Sequence, residues 1–241
     1  DMYGYDLCET DIGILVGVSN LFTSEDSGLY LLRDDALINI TIGEPITHVQ
    51  FIKNRDGVIY LYGNYYSHLY SFNIFSLVES GGRLQATVVG KTLFQNSFFI
   101  NQWELSSDTN TAVIRTSENK VLFYGNKGDN GYEHYTNFDT ALFSPDEQIA
   151  YILPGEYDNG SYNIYLLIKE VPLYDSALVV MEDKENSRFL VHNFDMSTIS
   201  GDPGETLVGA GFHDDCFVFM YQLSGGTEYR VRRGQILFDS F

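Results

Sequence analysis

The chain of 241 residues is 44% hydrophobic and 20% charged, the balance of a folded protein and not of a disordered one. Its formal net charge of −19 lacks the cationic footprint that phosphate backbones and anionic membrane surfaces demand, so nucleic acid is not an expected partner. The longest early apolar run, Ile12 to Val18, is far shorter than the ~20 residues of a membrane helix, so no direct membrane insertion by this segment is expected.

In chain order, short apolar or alternating runs predict strands over Gly13–Ser19, Leu29–Arg33, Leu37–Ile42, Thr47–Ile52, Val58–Tyr62, His68–Ile74 and Leu84–Val89. They continue over Phe98–Leu105, Thr111–Thr116, Val121–Tyr124, Tyr132–Asn137, Ala141–Ser144, Ile149–Leu153 and Tyr162–Lys169. The last are Ala177–Met181, Arg188–Asn193, Leu207–Gly211, Phe217–Tyr221, Tyr229–Arg233 and Gln235–Phe238. Turn formers separate them, with hairpin signals at Asp56-Gly57, Asn130-Gly131 and Asn159-Gly160, where a left-handed backbone costs little. No segment holds a 3.6-residue period across three turns, so the expectation is all-β.

These runs group in fours: Thr47–Val89, Phe98–Asn137, and Ala141 to Met181. Gly13–Ile42 holds three and Arg188–Phe238 holds five, as closure of a ring between the termini would require. A repeat of about 45 residues is that of propeller blades. The fold expected is therefore a single domain over residues 1–241: an all-β β-propeller, or part of one, with about five four-stranded antiparallel blades. The opening Asp1-Met2 is that of a processed chain or of an excerpt from a longer one.

Two local patterns carry a resemblance. Ser24-Glu25-Asp26-Ser27-Gly28-Leu29-Tyr30-Leu31 resembles the Asp-box hairpin of sialidase-like and sortilin-like propellers, with Tyr30 and Leu31 where Thr and Trp are usual. The resemblance gives Ser24, Asp26 and Gly28 a structural role, side chains satisfying turn amides while Gly takes positive φ. Lys127-Gly128-Asp129-Asn130-Gly131 repeats the Asp-x-Gly portion alone. Phe143-Ser144-Pro145-Asp146-Glu147, followed by Ile149-Ala150-Tyr151-Ile152, is similar to a turn and strand of TolB-like and other WD-related propellers, with Glu147 in place of Gly. Strand endings such as Ile59-Tyr60-Leu61-Tyr62-Gly63 and Val121-Leu122-Phe123-Tyr124-Gly125 are similar to extracellular propellers of large membrane assemblies, including accessory subunits of the sperm cation channel.

Chemistry is harder to find. No Arg-Ile-Pro element supports a sialidase, and no Gly-x-Ser-x-Gly elbow, P-loop or dinucleotide fingerprint occurs. His48, His68, His134, His192 and His213 stand singly, so no metal site or cofactor is expected. His213-Asp214-Asp215-Cys216 is the densest ligand-like stretch, and a turn between strands accounts for it. Asp6, Glu9 and Asp11, or Asp214 and Asp215, could flank a sugar as a hydrolase needs, but 33 acidic residues produce such clusters by chance. Arg230 and Arg232 share one face of a strand, where they could pair with local acids or anchor an acidic partner, and an edge strand protected by charge is the favoured explanation. Cys8 and Cys216 are a candidate disulfide across the ring or, equally, two separate thiols. Asn39 and Asn159 are candidate glycosylation sites, Asn159 in a turn and Asn39 in a strand.

No residue is therefore assigned a catalytic role. The function expected is a non-enzymatic protein-interaction module, partnered by another protein and belonging to the ectodomain of a secreted or membrane-associated complex. The alternative is a carbohydrate-active hydrolase, with a glycan as its ligand, on a five-bladed propeller. The setting expected is extracellular or exoplasmic.

Overall fold

The structure is a computed structural model that describes residues 2–20, 28–42, 48–55, 58–65, 69–80, 83–94, 100–116, 120–127, 132–134, 149–157, 160–169, 176–185, 188–196, 201–213 and 216–234. Among them there is no helix. The strands are β1 (Met2–Thr10), β2 (Gly13–Asn20), β3 (Gly28–Arg33), β4 (Ala36–Ile42), β5 (His48–Arg55), β6 (Val58–Tyr65), β7 (Leu69–Ser80) and β8 (Arg83–Phe94). They are followed by β9 (Ile100–Leu105), β10 (Thr111–Thr116), β11 (Val121–Asn126), β12 (Tyr132–His134), β13 (Ile149–Tyr157), β14 (Tyr162–Lys169), β15 (Ser176–Asp183), β16 (Arg188–Asp195), β17 (Thr206–His213), β18 (Cys216–Gln222) and β19 (Tyr229–Gly234). Each strand pairs antiparallel with its chain neighbour within five meanders: β1–β4, β5–β8, β9–β12, β13–β16 and β17–β19. A short parallel contact, Thr41 with Gln85 and Ile42 with Ala86, joins the first meander to the second. The all-β expectation holds, and the groups Thr47–Val89 and Phe98–Asn137 each form one four-stranded meander.

Two details of that grouping are corrected. The first meander has its own fourth strand, β1, which the sequence grouping lacks. Arg188–Asn193 lies in β16 and completes the meander of β13, whereas the sequence grouping assigned it to the last region. The expected strands Ala141–Ser144 and Gln235–Phe238 lie outside the described residues.

The described residues form two compact units, 1–98 with 125–133, and 99–124 with 134–241. In the first, Leu15, Leu29, Leu31 and Ile40 of β2–β4 pack against Val49, Ile52, Ile59 and Leu61 of β5 and β6. Their chain neighbours Ile14, Leu32 and Leu37 point the other way and are exposed, the period-two signature of a sheet with one buried face. In the second unit, the meander β13–β16 is buried on both faces. Ile164, Leu166 and Ile168 meet Phe217, Phe219 and Tyr221 of β18 on one side. Tyr165 and Leu167 meet Val113, Val121 and Phe123 of β10 and β11 on the other. That double burial is why β14 is apolar along its length instead of alternating. Phe123 stands edge-on to Tyr165, with centroids 5.2 Å apart.

One device recurs five times. The first strand of every meander carries one extra residue against its partner strand: Tyr5, Gln50, Asn101, Ala150 and Val208. Each is a β-bulge that re-aims the following side chain. Within the first unit, Asp6 accepts a hydrogen bond from the Ile52 amide at 2.9 Å, and Asn54 donates to the Glu9 carbonyl at 3.3 Å. Within the second, Gln102 accepts from the Ile152 amide at 2.9 Å and donates to its carbonyl at 2.8 Å. Tyr151 then donates to the Leu207 carbonyl at 3.4 Å. Within each unit, then, β1 lies beside β5, β9 beside β13 and β13 beside β17, each linked by a side chain just past a bulge. Gly155 lets β13 approach β17 closely, since a Cβ there would lie 3.0 Å from the Phe212 ring.

Candidate functional site

Among the described residues, the densest polar cluster belongs to the second unit, where the β9–β10 turn meets the ends of β13–β15. Ser106 begins the turn. Its hydroxyl donates to Asp108 at 2.6 Å and accepts from the Thr111 amide at 2.9 Å. Asp108 also accepts from the Asn110 amide at 3.1 Å, so a Ser-x-Asp pair satisfies the turn from within. Thr109 takes φ of 60°, an uncommon conformation for a β-branched residue, and its amide donates to the Ser106 carbonyl.

Behind the turn, Glu182 of β15 is buried. Its carboxylate accepts from Thr111 at 2.7 Å, Asn163 at 3.1 Å and Tyr165 at 2.9 Å. The same Asn163 amide reaches Asp108 at 3.4 Å, so one side chain bridges the two acids. Lys184 lies 3.2 Å from Asp108 and 3.4 Å from Glu156, and Ser107 donates to Glu156. Burial opposes ionisation of Asp108, but hydrogen bonds from Ser106, the Asn110 amide and Lys184 outweigh it and hold the carboxyl below its ordinary range. Burial, reinforced by the Glu182 charge, pushes the Tyr165 phenol well up, so it remains a donor.

A second cluster lies at the start of β17 and β19. Arg230 reaches Glu205 at 3.0 Å, and Arg232 reaches Asp202 at 3.1 Å and Glu205 at 3.5 Å. Hydrogen bonds from Arg230 and Arg232 hold the Asp202 carboxyl low. Arg232 also stands 5.8 Å over the Tyr221 ring. The arginines expected on one face are there, and local acids pair with them.

The other residues singled out from sequence, where they are described, serve their own strands and turns. Gly28 opens β3 with φ of 153°, while Ser24 and Asp26 lie outside the described residues. So do Asp56, Asp129, Asp146, Asp158, Asp214, Asp215 and Asn159. Asn39 is exposed on β4. Asp6 serves backbone amides of Leu7 and Ile52, while Glu9 and Asp11 are exposed. His213 pairs with Cys216 across the end of β17–β18. Cys8 lies in the first unit and Cys216 in the second, each half-buried. Each has a place in its own sheet, Cys8 opposite Leu15 and Cys216 opposite His213. Burial raises the Cys8 thiol above its ordinary range. Among the described residues, no three His, Cys, Asp or Glu side chains could hold a metal, and no helix is long and apolar enough to cross a membrane.

Sequence reasoning missed the Asp108–Glu182 cluster, although Ser106 and Asp108 repeat the spacing of Ser24 and Asp26. No protein-family model matches the sequence, and no curated protein does. Solved structures do. The Dos1 propeller is similar with a TM-score of 0.50 at 9% identity, covering 95% of this chain and 57% of that one. The periplasmic gluconolactonase PpgL of Pseudomonas aeruginosa gives 0.48 at 12%, covering 95% and 71%. Sqt1 of Saccharomyces cerevisiae gives 0.42 at 10%, covering 90% and 70%. This chain thus spans little more than half of the Dos1 propeller chain. The likeness is one of fold, and the fold is a β-propeller scaffold.

Proposed function

We propose that the chain is a non-enzymatic β-propeller module that recognises another protein, within the ectodomain of a secreted or membrane-associated complex. The carrying observation is the state of its best-placed acids. Glu182 is occupied by Thr111, Asn163 and Tyr165, and Asp108 by Ser106, the Asn110 amide and Lys184. A general acid or base needs a proton path to a substrate, and these carboxylates spend their lone pairs on the protein's own donors. What they accomplish is to fix turns and strand ends, and turns on such a rigid scaffold carry recognition. An exposed Asn39 in a glycosylation sequon agrees with an exoplasmic setting.

The rival reading, a glycan hydrolase, is favoured by one fact: Asp108 and Glu182 converge on Asn163 beside Tyr165. A panel of aryl glycosides with wild type, Asp108→Asn and Glu182→Gln separates the two. No turnover is expected, together with a partner recovered by crosslinking on cells whose capture is lost when the β3–β4 turn acids Asp34 and Asp35 or the β9–β10 turn are altered. Turnover abolished by either carboxylate substitution overturns the recognition reading.

A further inference from the structure

β19 turns two arginines toward the core side of its sheet. Arg230 lies opposite Tyr221 and Arg232 opposite Phe219, and residues paired in this way share a face. Phe219 and Tyr221 belong to the buried core of the second unit. Their neighbours in β19, Tyr229 and Val231, take the other side and are exposed. Apolar side chains at 230 and 232 would often hold such a sheet equally well, because ion pairing does little more than offset the solvation lost on burial. The arginines therefore call for a reason other than packing.

What meets them is a turn of the same chain. In Asp202-Pro203-Gly204-Glu205 the Glu205 amide donates to the Asp202 carbonyl at 2.9 Å, with Gly204 at φ of 92°. The Asp202 amide donates in return to the Glu205 carboxylate at 2.8 Å. Gly201 seats the turn against the Tyr221 ring, where a Cβ would lie 2.8 Å away. The two acids of the turn do different things. Glu205, its side chain 3% exposed, meets Arg230 and Arg232 from the buried side and fixes both guanidinium groups. Asp202, 60% exposed, meets both on a single oxygen, Oδ2, from the solvent side. Two guanidinium groups converging on one carboxylate, with Arg232 over the Tyr221 ring, make a preformed carboxylate-recognition fork. Its outer partner is an exposed ion pair, which contributes little and exchanges readily.

We propose that Arg230 and Arg232 bind an acidic side chain of the protein partner, and that Asp202 is a stand-in that occupies the fork until that carboxylate displaces it. Such a role rests on the recognition reading above and adds the chemistry of the partner. The net charge of −19 sharpens the selection, since it repels acidic segments in general and leaves the fork as the place where one meets two guanidinium groups together.

Fluorescence anisotropy of a labelled, end-capped hexaglutamate peptide on the full chain is the test, with capped hexaglutamine as the control. The parent should bind hexaglutamate weakly and hexaglutamine not at all. Asp202→Ala empties the fork and should tighten hexaglutamate binding about 5-fold. Glu185→Ala removes the same charge from another exposed acid of the second unit and should leave binding unchanged. Added to Asp202→Ala, Arg230→Lys keeps a cation for Glu205 but not the fork, so it should erase the gain while melting curves match the parent. An Asp202→Ala protein that binds no better than the parent, or a gain that Glu185→Ala matches, overturns the proposal. Partner capture on cells that persists in Arg230→Lys protein overturns it too, and leaves the recognition reading standing.

Discussion

Removing the Tyr165 hydroxyl is the most discriminating perturbation of the buried cluster. Tyr165 donates to Glu182 at 2.9 Å from a fully buried position, and the acceptor shares its charge with Asn163 and Thr111. A hydrogen bond to a charged acceptor contributes about 1.5–3 kcal/mol, against about 0.5–1.5 for a neutral one. Tyr165→Phe should therefore cost about 2 kcal/mol, since Oε2 of Glu182 keeps Asn163 and Oε1 keeps Thr111. Glu182→Gln leaves an oxygen for Tyr165 and Asn163, and the Thr111 hydroxyl can turn to accept, so its cost should also be about 1–2 kcal/mol. In the Glu182→Gln background the Tyr165 hydroxyl meets a neutral acceptor, and its removal should cost only about 1 kcal/mol. The double-mutant cycle then shows a coupling of about 1 kcal/mol. Urea unfolding of the four proteins, with m-values compared, reads it directly. Additivity within about 0.3 kcal/mol, or a Tyr165→Phe cost below about 0.5, would refute the argument that Glu182 is held as a charged acceptor.

The remaining predictions concern the framework around that cluster. Gln102→Ala removes both bonds to Ile152 and should cost about 1–3 kcal/mol in urea, whereas the exposed neighbour Asn101→Ala should change stability by less than about 0.5. Gly155→Ala places a Cβ against the Phe212 ring and should destabilise by about 1–3 kcal/mol. Adding Phe212→Leu should recover part of that loss, and no recovery would mean that the close approach is not the cause. Asp108 has a folded pKa below its ordinary 3.8, so its contribution is present above that value and is lost as pH falls through the lower folded one. The stability gap between wild type and Asp108→Asn should stay level from pH 7 to about 4.5 and close below about pH 3.5; a gap that closes nearer neutrality would contradict this.

Much of the framework was legible in the sequence, because a period-two pattern and turn residues are local properties. Strands such as Thr111–Thr116 and Tyr162–Lys169 have the expected bounds. β1 escaped because its bulge at Tyr5 resets the alternation, and Asp6, Glu9 and Thr10 break the apolar run. The assignment of β16 to the wrong meander has a similar origin: Leu190 and His192 are exposed, and nothing local says which neighbour a strand pairs with. The buried cluster was invisible for a different reason. Thr111 and Glu182 stand 71 residues apart, and Asp108 and Asn163 stand 55 apart. Ser, Thr, Asn and Asp are turn formers throughout this chain, and only pairing brings four of them onto one carboxylate pair.

The bulges have a bearing on how this chain tolerates change. Each restarts the in-and-out alternation of its strand, so the facing of every meander is counted from a mark of its own. The linked positions Asp6 and Ile52, Gln102 and Ile152, and Tyr151 and Leu207 stand 46, 50 and 56 residues apart, yet each joins one first strand to the next. A residue gained or lost in a connecting turn therefore goes no further than that turn and flips no face downstream. Spacing can drift between meanders while register inside them stays fixed, which leaves turn length open to variation at little structural cost.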